Sequence, residues 1–223
     1  MMSRMAMDER VAAERRARMV ARQLEARGIT DARVLAAMRE IPRHRFVSDE
    51  WADAAYEDRA LPIGRGQTIS QPYVVALMLE ALALRPGDRA LEVGAGSGYA
   101  TALLARLARE VVAIERDPEL ARAARARLAE LGFANVEVHA ADGTLGWPER
   151  APFDAILVSA GGPRVPPALE AQLAPDGRLV IPVGARSGQP LLRLVRSPSG
   201  ELAREDLGEV AFVPLVGAAG FER

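Results

Sequence analysis

The sequence predicts an α/β fold, a doubly wound, mainly parallel sheet with an N-terminal helical appendage, and three observations carry that prediction. From residue 84 onward, apolar strand-like runs alternate with helical stretches at the spacing of βαβ units. The first of those strands, Arg89-Ala-Leu-Glu-Val93, runs into Gly94, Gly96 and Gly98 and then into a helical pattern with Leu103, Leu104 and Leu107 on one face. Ahead of residue 84 the apolar period is helical, interrupted by a polar, glycine-containing loop at 56–72. The expected organisation is a disordered extension at 1–10, a helical region at 11–83 that carries the 56–72 loop, and an α/β domain at 84–223.

Each element has its own signal. Residues 11–27 set a solvated arginine face against Met19, Val20, Gln23 and Leu24, and Gly28 ends that helix. Thr30 or Asp31 caps a second helix with Val34, Leu35, Met38 and Ile41 on one face, stopped by Pro42. Arg43-His-Arg-Phe-Val47 reads as a solvated basic loop with an apolar anchor. In the 56–72 loop, Pro62, Gly64 and Gly66 precede a polar cluster of Gln67, Thr68, Ser70 and Gln71; taken alone, Ser70 reads as the cap of the apolar helix that begins at Pro72. Further strands are expected at 110–115, 136–140, 153–158 and 178–183, with helices at 118–131 and 167–173. Two last strands, 191–196 and 209–216, are expected on either side of a turn at Pro198-Ser-Gly200.

Composition limits the chemistry. The 223 residues are 49% hydrophobic, enough for a sizeable core, and the net charge of −1 argues against a broad nucleic-acid surface. No cysteine is present, which excludes disulfides, thiolate metal sites and thiol nucleophiles, and only His44 and His139 offer imidazole, so no metal site is suggested. There is no apolar run of about 18 residues and no signal-peptide pattern; a soluble, cytoplasmic protein without membrane contact is expected.

The glycine turn lies at the carboxyl end of the first parallel strand, where open α/β sheets bind nucleoside ligands. A dinucleotide fingerprint would require glycine where Tyr99 stands. The spacing is instead Glu92-x-Gly94-x-Gly96-x-Gly98, which resembles the first motif of S-adenosylmethionine-dependent methyltransferases. Glu115 ends the next strand where a carboxylate can accept bonds from both ribose hydroxyls, and Asp142-Gly143, after the third strand, resembles those methyltransferases' adenine-side acid loop in its placement.

With Gly66-Gln-Thr-Ile-Ser-Gln-Pro72 ahead of that motif, the chain resembles the protein-L-isoaspartate O-methyltransferases. The resemblance runs from residue 19 to 216 and includes Ile41-Pro-Arg43, Ala60-Leu-Pro-Ile-Gly64, Ala151-Pro-Phe-Asp-Ala-Ile156, Leu179-Val-Ile-Pro-Val-Gly184 and Phe212-Val-Pro-Leu215. It implies a Rossmann-like methyltransferase fold and methyl transfer from S-adenosyl-L-methionine to the free α-carboxylate of L-isoaspartyl residues, leaving S-adenosyl-L-homocysteine. It further implies Ser70 as the functional serine, with Gln67, Thr68, Ile69, Glu92, Gly94, Gly96, Gly98, Glu115, Asp142 and Gly143 around the cofactor. Isoaspartyl-containing peptides and proteins are the implied partners, and a monomer is expected. The family often has glycine where Ala141 stands, and Ala160-Gly-Gly-Pro163 departs from its pattern after the fourth strand, which bears on substrate fit. A methyltransferase acting on RNA or a small molecule, a binding module without turnover and a nicotinamide oxidoreductase are the alternatives; the first has no need of residues 66–72 and the last is disfavoured by Tyr99.

Overall fold

A computed structural model describes residues 8–185 and 188–222. Asp8 caps α1 (Glu9–Met19) by accepting from the backbone N–H groups of Arg10 and Val11, so the helix starts inside the segment expected to be disordered; residues 1–7 lie outside the described residues. Past Met19 the helix widens into a π turn at Val20–Leu24 and tightens into a 3-10 turn at Glu25–Arg27 before Gly28. The cap of α2 (Ala32–Glu40) is Asp31, while the Thr30 amide and hydroxyl both donate to Glu80.

The 56–72 segment is not wholly a loop. Residues of β1 (Leu61–Gly64) and β2 (Gln67–Ile69) pair as a short antiparallel hairpin whose turn is Arg65-Gly66. Helix α3 (Pro72–Leu82) follows, opened by Pro72 with Gln71 as its cap residue, so Ser70 does not cap it.

The remaining strands form one sheet. β3 (Arg89–Val93), β4 (Glu110–Glu115), β5 (Val136–Ala140), β6 (Phe153–Val158), β7 (Leu173–Pro182), β8 (Gln189–Arg196) and β9 (Leu202–Val210) lie in the order β5-β4-β3-β6-β7-β8-β9. Pairing is parallel from β5 through β7 and antiparallel for β7–β8 and β8–β9. Helices α4 (Tyr99–Leu107), α5 (Pro118–Glu130) and α6 (Pro167–Ala171) supply crossovers. Two boundaries differ from expectation. The last strand is 202–210, and residues 211–216 run on as an extended segment bridged to the loop after β6; β7 begins before the Pro175-Asp-Gly177 turn.

Both sheet faces are covered, as a parallel sheet requires. Alternate residues of each central strand separate cleanly: Ala90, Val111, Ala113, Ala155 and Leu157 join the cluster that also holds Met19, Leu24, Met38, Leu79 and Leu103, whereas Leu91, Val93, Val112, Ile114, Ile156 and Val158 join Leu169, Leu179 and Leu215 on the other face. The N-terminal helices are thus one wall of the main core. Arg33 ties them in, donating to the carbonyl oxygens of Leu84 (2.5 Å) and Leu107 (2.6 Å).

Candidate active site

The first-numbered parallel strand, β3, has β4 on one side and β6 on the other, and the chain reverses direction across the sheet between them. Crevices open at the carboxyl ends of strands flanking such a reversal. Here the crevice is floored by the turn after β3, where Gly94 (φ 88°) and Gly96 (φ 52°) adopt conformations that side chains disfavour. A Cβ on Gly96 would lie 3.3 Å from Ile63 of the hairpin. The turn is pinned from both neighbours: Gly94 N–H donates to the Ile114 carbonyl (2.8 Å) and Ser159 N–H to that of Val93 (2.8 Å).

Three connected spaces lie above it. A cavity of about 350 Å³ is lined by Gln67, Thr68, Gly94, Gly96, Glu115, Gly143, Ser159 and residues 213–216, among others. A recess of about 40 Å³ is enclosed by Thr68, Ile69, Ser70, Glu92, Gly94, Gly96, Tyr99, Ser159 and Phe212, with further apolar residues. An outer groove of about 560 Å³ runs past Asp58, Arg59, Ser70, Gln71, Ser159, Glu209 and Phe212. Thr68 and Ser159 border all three, and Ser70 borders the recess and the outer groove.

The acids are individually placed. Glu115 accepts from the backbone N–H of Gly96 (2.9 Å) on one oxygen and of Asp117 (2.9 Å) on the other, which leaves each oxygen a lone pair directed elsewhere. Glu92 is buried; it accepts from the hydroxyls of Thr101 (2.5 Å) and Ser159 (3.2 Å), and burial outweighs both bonds and pushes its pKa up to about 7. Asp142 stands behind the cavity wall. Burial raises its pKa, but hydrogen bonds from the Ala218 N–H and from the Thr144 hydroxyl and N–H prevail and hold the carboxyl below its ordinary range.

Of the residues singled out from the sequence, Gln67, Thr68, Ile69, Ser70, Glu92, Gly94, Gly96, Glu115 and Gly143 are brought together around these spaces. Gly98 is not at the cavity: it precedes α4, and a Cβ there would press on Ala124 and Leu128 at 3.3 Å. Gly143 abuts β3 so closely that a Cβ would lie 2.5 Å from Val93. Ile69 of β2 walls the recess, whereas Leu61 of β1 is fully buried and lines none of the three spaces.

Sequence reasoning missed two residues that line the site, Ser159 and Arg65, and misjudged the burial of Arg43 and His44. Ser159, one residue past β6, lacked a motif. Arg65 reaches from the hairpin turn across the cavity mouth to Asp117 (2.6 Å). Arg43 and His44 are buried, not solvated; His44 Nδ1 shares a 2.7 Å hydrogen bond with the Tyr56 hydroxyl.

The Ala160-Gly161-Gly162-Pro163 departure has a packing explanation. Gly161 exchanges backbone bonds with Val213 (2.9 Å) and Leu215 (2.7 Å), and a Cβ on it would lie 2.3 Å from the buried Gln189 side chain, which itself grips the Phe212 backbone. Gly161 therefore anchors the 211–216 segment that walls the cavity, while Gly162 donates to the Pro182 carbonyl (3.0 Å) and ties the loop to the end of β7.

This arrangement suits a nucleoside ligand with a cationic end. Its volume falls in the ligand-pocket range of about 300–1,000 Å³. Glu115 offers acceptors for vicinal hydroxyls, and Glu92 a carboxylate beside the turn.

The comparisons point the same way. The family model for protein-L-isoaspartate(D-aspartate) O-methyltransferase matches residues 14–220. A protein-L-isoaspartate O-methyltransferase of Methylorubrum extorquens is 62% identical over 208 residues, covering 93% of this chain and 91% of its own. One from Rhodopseudomonas palustris is 56% identical over 206 residues, 92% and 94% of the two chains. Among solved structures, a protein-L-isoaspartate O-methyltransferase superposes with a TM-score of 0.83 at 30% identity over 92% of this chain and 67% of that one. A Plasmodium falciparum structure named for the same activity, in complex with S-adenosyl-L-homocysteine, gives a TM-score of 0.78 at 28% identity over 90% and 98% of the two chains. With its family model matched over nearly all of its length and its glycine turn, hairpin and two acids gathered around one crevice, the chain belongs to the protein-L-isoaspartate(D-aspartate) O-methyltransferase family.

Proposed function

We propose that the family reaction takes place where the recess meets the outer groove, with Ser70 orienting the methyl acceptor. The chain is a protein-L-isoaspartate O-methyltransferase: it uses S-adenosyl-L-methionine, yields S-adenosyl-L-homocysteine, and esterifies the free α-carboxylate of isoaspartyl residues in damaged proteins. In the cavity of about 350 Å³, the cofactor would supply an electrophilic methyl group on a sulfonium. Glu115 would receive its ribose hydroxyls, the backbone at Gly94 and Gly96 would give it room, Gln67 and Thr68 would close the side wall, and Glu92 would answer its positive charge.

The observation that carries this reading is the state of Ser70. It borders both the recess and the groove, and its hydroxyl makes no hydrogen bond among the described residues, so its donor is available to a ligand. A carboxylate acceptor has a pKa of about 4 and is already an ionised nucleophile at neutral pH, so no general base is needed. Ser70 donates to that carboxylate and turns one oxygen inward. Ile69, Val75, Met78 and Phe212 keep water from it. We further propose a cytoplasmic monomer that binds neither nucleic acid nor membrane. No helix among the described residues is long and apolar enough to cross a membrane.

Methyl transfer from labelled cofactor to a synthetic isoaspartyl peptide, with the aspartyl peptide as control, tests the reading. Transfer should be confined to the isoaspartyl peptide. Ser70→Ala should lower kcat/KM about 10- to 100-fold, the span of a hydrogen bond to a charged group, at unchanged melting temperature. Equal activity in the variant would overturn the role given to Ser70.

A further inference from the structure

Arg43 opens the short 3-10 turn Arg43–Phe46 that follows Pro42, and it is fully buried. Its Nε donates to the Ala55 carbonyl at 2.8 Å and its Nη2 to the Ser70 carbonyl at 2.8 Å. The guanidinium also stands over the ring of Tyr99, 4.9 Å from its centroid. Tyr99 is the first residue of α4, directly after the glycine turn, and it borders the recess. One planar cation therefore touches the segment that presents Ser70 and the segment that follows the cofactor turn.

The fold does not explain this cation. Nη1 is buried without a hydrogen-bond partner, and no carboxylate forms an ion pair with Arg43 among the described residues. Asp58, an acid whose charge does reach it, is already engaged by Arg27, the Gln71 side chain and the Tyr73 N–H. A buried charge without a counter-ion is costly, and a well-packed apolar side chain serves stability as well or better. Burial lowers the Arg43 pKa to about 10, so it stays charged at neutral pH. What it gives in return is geometry at Ser70 and a positive charge behind the spot where an anionic acceptor docks.

We infer that Arg43 is a positioning residue for the methyl acceptor: it fixes the Ser70 hydroxyl relative to the glycine turn through the Ser70 carbonyl and the Tyr99 ring, and its charge favours carboxylate over neutral acceptors. The inference rests on the role proposed above for Ser70. Lysine would keep the charge but lacks the fork that reaches Ala55 and Ser70 together.

The test is a double-mutant cycle on the full chain, with Arg43→Met, Ser70→Ala and the double variant, plus Arg43→Lys. Kinetics are read with isoaspartyl peptide varied at saturating cofactor, and cofactor Kd is read by calorimetry. Arg43→Met should lower kcat/KM for the peptide about 10- to 50-fold, chiefly through KM, with cofactor Kd within about twofold. Arg43→Lys should recover part of the KM and little of the kcat. In the Ser70→Ala background, Arg43→Met should cost less than about threefold, since no hydroxyl remains to be placed. Losses that multiply independently, or a cofactor Kd that shifts in step with kcat/KM, would overturn the inference while leaving the reaction assignment standing. A wild-type chain that binds cofactor but does not methylate the peptide would overturn both. If circular dichroism shows that Arg43→Met does not fold, Arg43→Lys takes its place in the cycle, where non-additive losses support the inference and independent ones overturn it.

Discussion

The Glu92 carboxyl, pushed up to about 7 by burial, makes the site sensitive to pH in two ways. Its folded pKa lies above the ordinary value of 4.5, so between those values the folded chain retains a proton that the unfolded chain has released. Stability from this group is therefore present below about pH 4.5 and lost as pH rises through 7, by an amount on the order of 3 kcal/mol. Chemical denaturation of Glu92→Gln against wild type should show the wild-type disadvantage growing from pH 5 to pH 8. The cofactor carries positive charge, so it should favour ionised Glu92 and bind more tightly as pH rises through 7; calorimetry on Glu92→Gln should find a flat profile. Glu92 was legible in the sequence because its spacing to three glycines is fixed by chemistry. Arg43 was not: a basic tripeptide has the same composition whether it lies in water or beneath Tyr99, and only tertiary packing distinguishes the two.

At the scale of elements, the long periodic segments were legible and the short or polar ones were not. Helices α2, α3 and α5 and strands β3, β4 and β6 bury one consistent face or are apolar throughout, which is the signal periodicity reports. Strands β1 and β2, four and three residues long, carry Pro62 and a glycine turn that mask any alternation. The last strand was expected at 209–216 because β9, as an edge strand, is rich in exposed charge, which guards such an edge against unwanted pairing, while the more apolar 211–216 segment packs as a wall. Two element-level outcomes follow. Gly161→Ala would drive a Cβ into Gln189 and loosen the 211–216 wall, an overpacking cost of about 1–3 kcal/mol that urea denaturation would read. Arg65→Ala removes only an exposed ion pair to Asp117, so the melting temperature should hold while the cofactor dissociation rate rises several-fold in stopped-flow measurements.

Across the whole molecule, the division at residue 84 marks a change of sequence pattern more than a change of body. Ala12, Met19, Leu24 and Met38 of the N-terminal helices share a hydrophobic cluster with Ala90, Val111 and Leu157 of the sheet, and Arg33 and Arg178 tie loops across the same boundary. We propose that 11–83 and 84–223 fold as one cooperative unit. A fragment of residues 84–223 expressed alone would expose that apolar face and should bind a hydrophobic dye and lack a sharp thermal transition; a sharp transition with native-like near-ultraviolet dichroism would refute the proposal.

The cavity wall at 213–216 has a consequence for when the protein becomes competent. The hairpin at 61–69 and the turn after β3 are synthesised early, yet the space they border is closed by residues far downstream, and Asp142 receives its Ala218 bond later still. During translation, a ribosome that has not passed that stretch carries a chain with an open, unfinished crevice. The crevice is completed by contacts distant in sequence, so a chain truncated before residue 211 should bind the cofactor more weakly, as calorimetry would show.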